Sequence, residues 1–205
     1  MSTLENLIST QRAFVRARDW EQFHSPKNLA MALGGEVGEL CLEIAPMFSE
    51  DLSPNPTTVT ASVQHEVADV TLYLLRLYDV LQIDPTEAFG PFHDGSGREG
   101  GDSVPRTQES LAQAVCRLSG SVGMVLEVFQ WQESESANLP SRVDGREMER
   151  RLHGISESVK TMANLLGIDV LAAAEAKLAA NEQRYPVALS RGSSRKYTEL
   201  TGVDE

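Results

Sequence analysis

Four carboxylates stand in two pairs with helical spacing, and they are the side chains best placed in this sequence to do chemistry. Glu36 and Glu39 form one pair, and Glu66 and Asp69 form the other. Residues three apart on a helix share a face, so each pair presents its carboxylates in one direction. Buried acids are costly unless they are paired or bind a metal, and oxygen ligands suit Mg²⁺ and Mn²⁺. The pattern predicts a metal-dependent enzyme acting on phosphates, the alternative being exposed acidic helix faces or salt bridges.

All of the elements expected to position these acids are helices. One helix is predicted from about Leu4 to Trp20, and Ser25 and Pro26 predict the start of a second, which Pro46 interrupts. Further helices are predicted at about 58–82, 108–132, 145–166 and 169–184. The two acidic pairs then lie on the second and third helices, and antiparallel packing of these helices would bring the four carboxylates together.

The two halves of the chain resemble each other at a constant offset of 85 positions. This offset places the Gly-x-Val-Gly of residues 35–38 on that of residues 120–123, and the Leu-x-Ile-Asp of residues 81–84 on that of residues 166–169. The four acids fall on Ser121, Met124, Arg151 and Gly154. We interpret the pattern as a tandem duplication in which only the first copy keeps the acidic site. The predicted division is a first repeat at 1–89, a Gly-rich linker at 90–106, a degenerate second repeat at 107–186 and an irregular basic and polar tail at 187–205.

Several short stretches of the sequence carry a resemblance to a known family. They are residues 18–24, 28–29, 35–40, 66–70, 181–186 and 192–200. Together they resemble the all-α nucleoside triphosphate pyrophosphohydrolases, the MazG-like superfamily, and in particular its dCTP pyrophosphatase branch. The resemblance implies an all-α antiparallel bundle and hydrolysis of a (deoxy)nucleoside triphosphate to the monophosphate and pyrophosphate. It also implies Mg²⁺, with Mn²⁺ as a substitute, bound by the four acids, one of which would accept a proton from water.

The chain departs from that family in the placement of two motifs. The family's Lys-x-x-x-Asn-x-x-Arg-Tyr-Pro motif is found only in the second half, at residues 177–186. The Phe-Gln-Trp motif is also found only there, at residues 129–131, whereas the first half has Ile-Ala-Pro at the corresponding residues 44–46. We therefore expect a pseudo-dimer within one chain, with one composite site. The first copy would bind the metal, and the second would provide an aromatic wall and a basic, nucleotide-contacting helix.

The resemblance implies substrate-binding residues besides the acids. They are Trp20, His24, Asn28, Trp131, Lys177, Asn181, Arg184 and Tyr185. Lys177, Asn181 and Arg184 share one helix face, which would contact phosphate and sugar or would be a solvated face near a helix C-terminus. The aromatic residues would stack on a base or simply pack in the core. His24 would contact the nucleotide or only hold the loop before the second helix.

The net charge and the cysteine positions limit the kinds of partner and compartment that we expect for this chain. The net charge of −12 argues against nucleic-acid and anionic-membrane surfaces, which need basic stripes. Cys41 and Cys116 lie in apolar runs, so we interpret them as reduced core residues of a cytoplasmic protein, and no secretory signal is visible. The expected partner is a small nucleotide, and a further homodimer is an open alternative. The basic tail would close over the triphosphate or clamp a neighbouring chain.

Three alternatives to a dCTP-hydrolysing enzyme remain, one of which changes the substrate and two of which change the function. The same scaffold would serve dUTP or a broad range of nucleoside triphosphates, since the residues do not fix the base. A non-catalytic nucleotide sensor is the second alternative, because the second copy has lost its acids. A di-iron carboxylate bundle is the third, but it normally needs Glu-x-x-His pairs, and the candidate positions have none.

Overall fold

The computed structural model describes residues 4–48, 60–89, 107–132, 139–140 and 143–200. Within these ranges the chain folds into helices and short 3₁₀ turns, with no strand, which confirms the predicted all-α class. The helices are α1 Leu4–Ala17, α2 Pro26–Ile44, α3 Ala61–Val80, α4 Thr86–Phe89, α5 Gln108–Phe129, α6 Gly145–Leu166, α7 Val170–Arg184, α8 Val187–Ser190 and α9 Tyr197–Leu200. The linker predicted at 90–106 lies outside the described residues.

Helix starts follow the capping chemistry of the sequence. The Ser25 hydroxyl accepts a hydrogen bond from the Asn28 N–H, and Pro26 is the first residue of α2, as predicted. Helix α3 begins at Ala61 rather than near residue 58, because the Thr60 side chain caps it. Helix α1 ends at Ala17 and not at Trp20. The reason is that Asp19 adopts a left-handed conformation (φ 56°), which turns the chain away from the helix axis.

Two helix pairs make up the body of the fold. Helix α2 packs against α3, α5 packs against α6, and the pairs meet through α2 with α5 and α3 with α6. A Cβ added to Gly34 of α2 would lie 3.1 Å from the Leu126 Cδ1 of α5, so a glycine allows the close approach of these helices. Between α3 and α6, the buried Tyr78 hydroxyl lies 3.0 Å from the Ser156 hydroxyl. This arrangement is the one expected of two repeats, but the duplication itself stays a hypothesis.

Helix α7 also packs against α3, and helix α1 contacts both α3 and α7. Consequently α2, α3 and α7 surround one end of the bundle, where the acidic pairs are found. The main core is aliphatic and includes Leu33, Val37, Val67, Leu74 and Val125, all of which are buried.

The two cysteines and the apolar helix α5 differ in how they contribute to the core. Cys116 is exposed and Cys41 is only half-buried, so the prediction that both are core residues is wrong, although both are free thiols. Cys116 lies on the exposed side of α5, whereas the half-buried Cys41 packs against the edge of the core. Helix α5 is long and apolar enough to cross a bilayer by length and composition alone, and one of its faces packs in this bundle.

Candidate active site

A cavity of about 930 Å³ opens between α2, α3 and α7. The loop after α1 and the segment around α9 complete its walls. All of the predicted site residues except Trp131 line it. The residues that were proposed from four separate parts of the sequence are therefore brought together in three dimensions.

Three glutamates form the acidic centre of this cavity. The carboxylates of Glu36 and Glu39 on α2 and Glu66 on α3 offer oxygens that all lie within 4.8 Å of one another. Burial, followed by the charges of Asp69, Glu39 and Glu66, raises the pKa of Glu36 to about 7. The Glu66 Oε2 atom is buried and has no hydrogen-bond partner among the described residues. A divalent cation would satisfy this oxygen and offset the repulsion, so the donor set fits a hard metal ion.

Asp69 lies beside this cluster but has a different partner. Its Oδ2 accepts a hydrogen bond from the Lys177 Nζ, forming an ion pair in which the lysine side chain is buried. Burial raises the pKa of Asp69, and Lys177 opposes that rise. Three of the four acids expected to bind a metal ion therefore lie in one cluster, Asp69 pairs with Lys177 beside it, and metal binding by these acids stays a prediction. Packing of α7 on α3 brings in the lysine that pairs with the fourth.

His24 contacts a chain of charged groups that begins with Arg76 in the cavity wall. Its Nδ1 accepts a hydrogen bond from the Arg76 Nε at 3.2 Å, and Arg76 also pairs with Asp79, which in turn pairs with Arg12. Burial and the Arg76 charge lower the pKa of His24 to about 4, so the imidazole is neutral at pH 7. An Nδ1 that accepts places the remaining proton on Nε2. The bond to Arg76 ties the loop before α2 to α3, and the His24 ring also lines the cavity, so both roles considered for His24 stay predictions.

The aromatic wall consists of Trp20 and Tyr185. The Trp20 ring stands edge-on to Phe14 and to Tyr185, with centroid distances of 5.6 and 5.1 Å. Its Nε1 donates to the Ser190 carbonyl oxygen at 3.0 Å. Core packing therefore accounts for much of the Trp20 environment, even though the ring also borders the cavity.

Trp131 does not belong to this wall, contrary to the sequence-based expectation. It follows the end of α5, and 75% of its surface is exposed. Helix α5 contacts α2 through the face that carries Leu126, and this face lies away from the carboxylates. A motif at the end of α5 is therefore not directed into a cavity bounded by α2, α3 and α7.

The remaining polar positions have mixed roles. The Asn28 side chain donates to the Phe23 carbonyl oxygen at 3.1 Å and so supports the loop before α2. The Arg184 guanidinium lies 5.3 Å from the centre of the Tyr197 ring. Asn181 lines the cavity from α7.

Two polar cavity residues on α3 were not predicted from the sequence. Tyr73 and Arg76 follow Asp69 at positions i+4 and i+7, so they share its helix face, and this spacing was readable in the sequence. Burial, followed by the nearby Glu36 charge, raises the pKa of Tyr73 to about 12, which keeps its hydroxyl protonated at neutral pH.

Curated proteins with similar sequences carry one name. Mouse (Mus musculus) dCTP pyrophosphatase 1 is 40% identical over 92 residues, which are 42% of this chain and 52% of that protein. The human (Homo sapiens) protein of the same name is 41% identical over 88 residues, covering 40% of this chain and 49% of that protein. The bovine (Bos taurus) protein is 39% identical over 92 residues, covering 42% and 52%. This chain thus spans about half the length of the curated relatives it matches.

No family model matches the chain, and no solved structure matches it significantly. The resemblance based on motifs is nevertheless confirmed by the curated relatives and by the all-helical fold. Over about two fifths of its length, this chain is similar to curated dCTP pyrophosphatases, the branch of the MazG-like superfamily that its motifs resemble.

Proposed function

We propose that this chain is a Mg²⁺-dependent nucleoside triphosphate pyrophosphohydrolase, with Mn²⁺ as a substitute ion. It would convert a deoxynucleoside triphosphate, dCTP-like in preference, to the monophosphate and pyrophosphate. The observation that carries the proposal is the cluster of three glutamates, whose oxygens lie within 4.8 Å of one another. Glu66 also has a buried oxygen, Oε2, without a hydrogen-bond partner in the described ranges. The cluster lines a cavity whose wall also includes the side chains of Lys177 and Arg184.

Glu36, Glu39 and Glu66 would hold the ion. When bound, the ion neutralises charge on the phosphates and lowers the pKa of an attacking water molecule. Asp69 is the acid that we assign to accept the proton of this water. It stands outside the three-glutamate cluster, and burial raises its pKa, which makes it a stronger base, while Lys177 opposes that rise.

The opposite end of the cavity would bind the base and sugar. A neutral His24 with its proton on Nε2 can donate one hydrogen bond, which suits a carbonyl oxygen on a pyrimidine. Trp20 and Tyr185 provide apolar ring surface next to it. Asn28 and Asn181 add amide groups able to bond the sugar or phosphates.

The first test is release of pyrophosphate from a panel of dNTPs and NTPs, with and without Mg²⁺. The double variant Glu36→Gln/Glu39→Gln is expected to lose at least about 1000-fold in kcat/KM, because it removes two of three ligands. The matched control Glu5→Gln/Glu175→Gln removes two exposed acids outside the cavity and should keep full activity.

Metal binding supplies a second readout that does not depend on turnover. Titration with Mn²⁺, followed by calorimetry, should show binding to the wild-type protein and to the control but not to the Glu36→Gln/Glu39→Gln variant. Nucleotide binding without any turnover would support the sensor alternative instead. Similar turnover of many bases would support a broad-range hydrolase, and a preference for dUTP would replace the dCTP-like assignment.

The state of assembly belongs to the same proposal. The contact of the α2/α3 pair with the α5/α6 pair supports a pseudo-dimer within one chain, in which α2, α3 and α7 line the cavity. Light scattering coupled to size-exclusion chromatography should then give the mass of a single chain. A doubled mass would favour the alternative of a further homodimer.

A further inference from the structure

The segment after α7 returns to the cavity, and none of its residues takes part in the chemistry proposed above. We call residues 190–200 the C-terminal arm. The arm begins at Ser190, which is fully buried and whose carbonyl oxygen accepts the Trp20 indole N–H. Two residues later, the Gly192 N–H donates to the Arg18 carbonyl oxygen at 2.8 Å. These bonds attach the start of the arm to the loop that follows α1.

A second set of contacts holds the far end of the arm. The Tyr197 ring stands edge-on to Tyr185, with a centroid distance of 5.9 Å, and the Arg184 guanidinium lies over the same ring. Gly192 has a φ of 70°, a conformation that side-chain-bearing residues rarely adopt, so the turn between the two anchors needs glycine. The course of the arm past the cavity is therefore specified by local chemistry at both ends.

Between the anchors, the arm presents two cations to the cavity. Arg195 and Lys196 both line it, and both side chains are exposed. Neither forms an ion pair with an acid within the described part of the chain. Lys177, in contrast, is already paired with Asp69. Two cations without acidic ion-pair partners therefore stand at the edge of an acidic cavity, where an anionic ligand would pair with them.

We propose that Arg195 and Lys196 bind the outer phosphates of the triphosphate, which leave as pyrophosphate. This role rests on the proposed function, since it assumes a triphosphate in the cavity. A guanidinium can donate two parallel hydrogen bonds to one phosphate, while an ammonium acts as a compact positive charge beside it. The three glutamates repel bare phosphate oxygens. Cations elsewhere on the cavity wall would balance the charge of those phosphates that the metal ion does not neutralise.

The test compares two double variants that remove the same charge. Arg195→Gln/Lys196→Gln removes the two arm cations that line the cavity. Arg117→Gln/Arg146→Gln removes two exposed arginines that lie outside the arm and do not line the cavity. We expect the arm variant to raise KM about 10-fold while kcat changes less than about 2-fold, because solvent-exposed contacts to an anion are weakened by water and salt. The control should keep the wild-type KM.

Binding without turnover is the second readout. Calorimetry with Mg²⁺ and a non-hydrolysable α,β-methylene dNTP should show the same loss of about 10-fold in the arm variant. The corresponding nucleoside monophosphate analogue should bind both proteins alike, since it lacks the outer phosphates. The wild-type affinity should also fall more steeply with ionic strength than that of the arm variant.

The outcomes separate this inference from the proposed function. Equal affinity of wild type and arm variant for the triphosphate analogue would overturn the inference, and so would equal losses in both double variants. If the wild-type protein binds the analogue but releases no pyrophosphate, the proposed function fails, and the binding comparison still decides the role of the arm. Both substituted pairs are exposed, and matching thermal unfolding curves would verify that the variants fold.

Discussion

At the scale of single residues, the Lys177–Asp69 ion pair is the contact that departs most from the sequence-based expectation. The helical spacing correctly places Asp69 on the face of α3 that meets the cavity. Nothing in that spacing shows that a lysine 108 residues away would approach it. Patterns within one helix predict which side chains share a face, but partners from a distant helix depend on packing.

Removing the lysine tests the value of this pair. Lys177→Ala leaves Asp69 partly buried without its cation, so we expect a loss of about 2 kcal/mol in the free energy of unfolding. The pKa of Asp69 should rise because Lys177 opposes its upward shift, and the acidic limb of the pH–rate profile should therefore move to higher pH. The control Lys160→Ala breaks a pair with the exposed Glu157 and should cost less than about 1 kcal/mol. Equal costs for the two variants, together with an unmoved acidic limb, would contradict the prediction.

The raised pKa of Glu36 leads to a second prediction for a single residue, which concerns how the free energy of unfolding depends on pH. Its value of about 7 lies above that of an unfolded glutamate, so between these values the folded chain binds more protons than the unfolded chain. In metal-free buffer, the Glu36 contribution to stability is therefore present at acidic pH and is lost as the pH rises through about 7. His24, whose pKa is lowered to about 4, has the opposite sign, since its contribution is lost as the pH falls from about 6.5 toward 4.

Chemical denaturation of wild type and Glu36→Gln at several pH values isolates the Glu36 contribution. The difference in stability between the two proteins should favour the variant increasingly as the pH rises from 6 to 8, both values being about one unit from the Glu36 pKa. Added Mg²⁺ should stabilise the wild type at pH 8, because binding to the folded state alone shifts the equilibrium. A difference that does not change with pH would show that Glu36 has an ordinary pKa.

At the scale of helices, the sequence predicted the first residues of helices more accurately than the last residues. Ser25 and Pro26 mark the start of α2 correctly because an N-cap is a local hydrogen bond between neighbours. The end of α1 was placed three residues late, at Trp20 instead of Ala17. Here the apolar pattern continues past the helix, since Trp20 packs on Phe14 from outside it. Trp131 shows the same limit at the end of α5, where the side chain's position depends on which face meets α2.

Two glycines on the exposed face of α5 provide a prediction at this scale. A Cβ added to Gly120 or Gly123 would meet nothing within 4 Å. Because alanine is favoured over glycine inside helices, Gly120→Ala and Gly123→Ala should each raise the free energy of unfolding by about 0.5–1 kcal/mol. Gly192→Ala, at a φ of 70°, should lower it by about 1 kcal/mol. Thermal or chemical unfolding measures all three. Destabilisation by the α5 changes would instead indicate that a second copy covers this face.

At the scale of the whole molecule, the two helix pairs balance charge in different ways. In the first pair, Glu66 belongs to a cluster of acids that fits a metal ion. At the matching position of the second pair, the Arg151 guanidinium donates to Glu147 at 2.8 Å and also bonds the Met124 carbonyl oxygen. The second pair thus contains a cation of its own in the corresponding place. This difference agrees with the sequence-based hypothesis that one copy lost its acidic site, although a common origin of the copies stays a hypothesis.

The contact of Arg18 with the end of the chain has a consequence for the order in which the cavity is completed during synthesis. Arg18 bonds the carbonyl oxygens of Phe14 and Tyr185, and its own carbonyl oxygen accepts the Gly192 N–H. A ribosome makes the acidic helices first and the residues that enclose them last. A nascent chain that has emerged only through α6 would carry its glutamates open to water, without Lys177 or the C-terminal arm. The cavity therefore becomes complete only after translation has passed the arm.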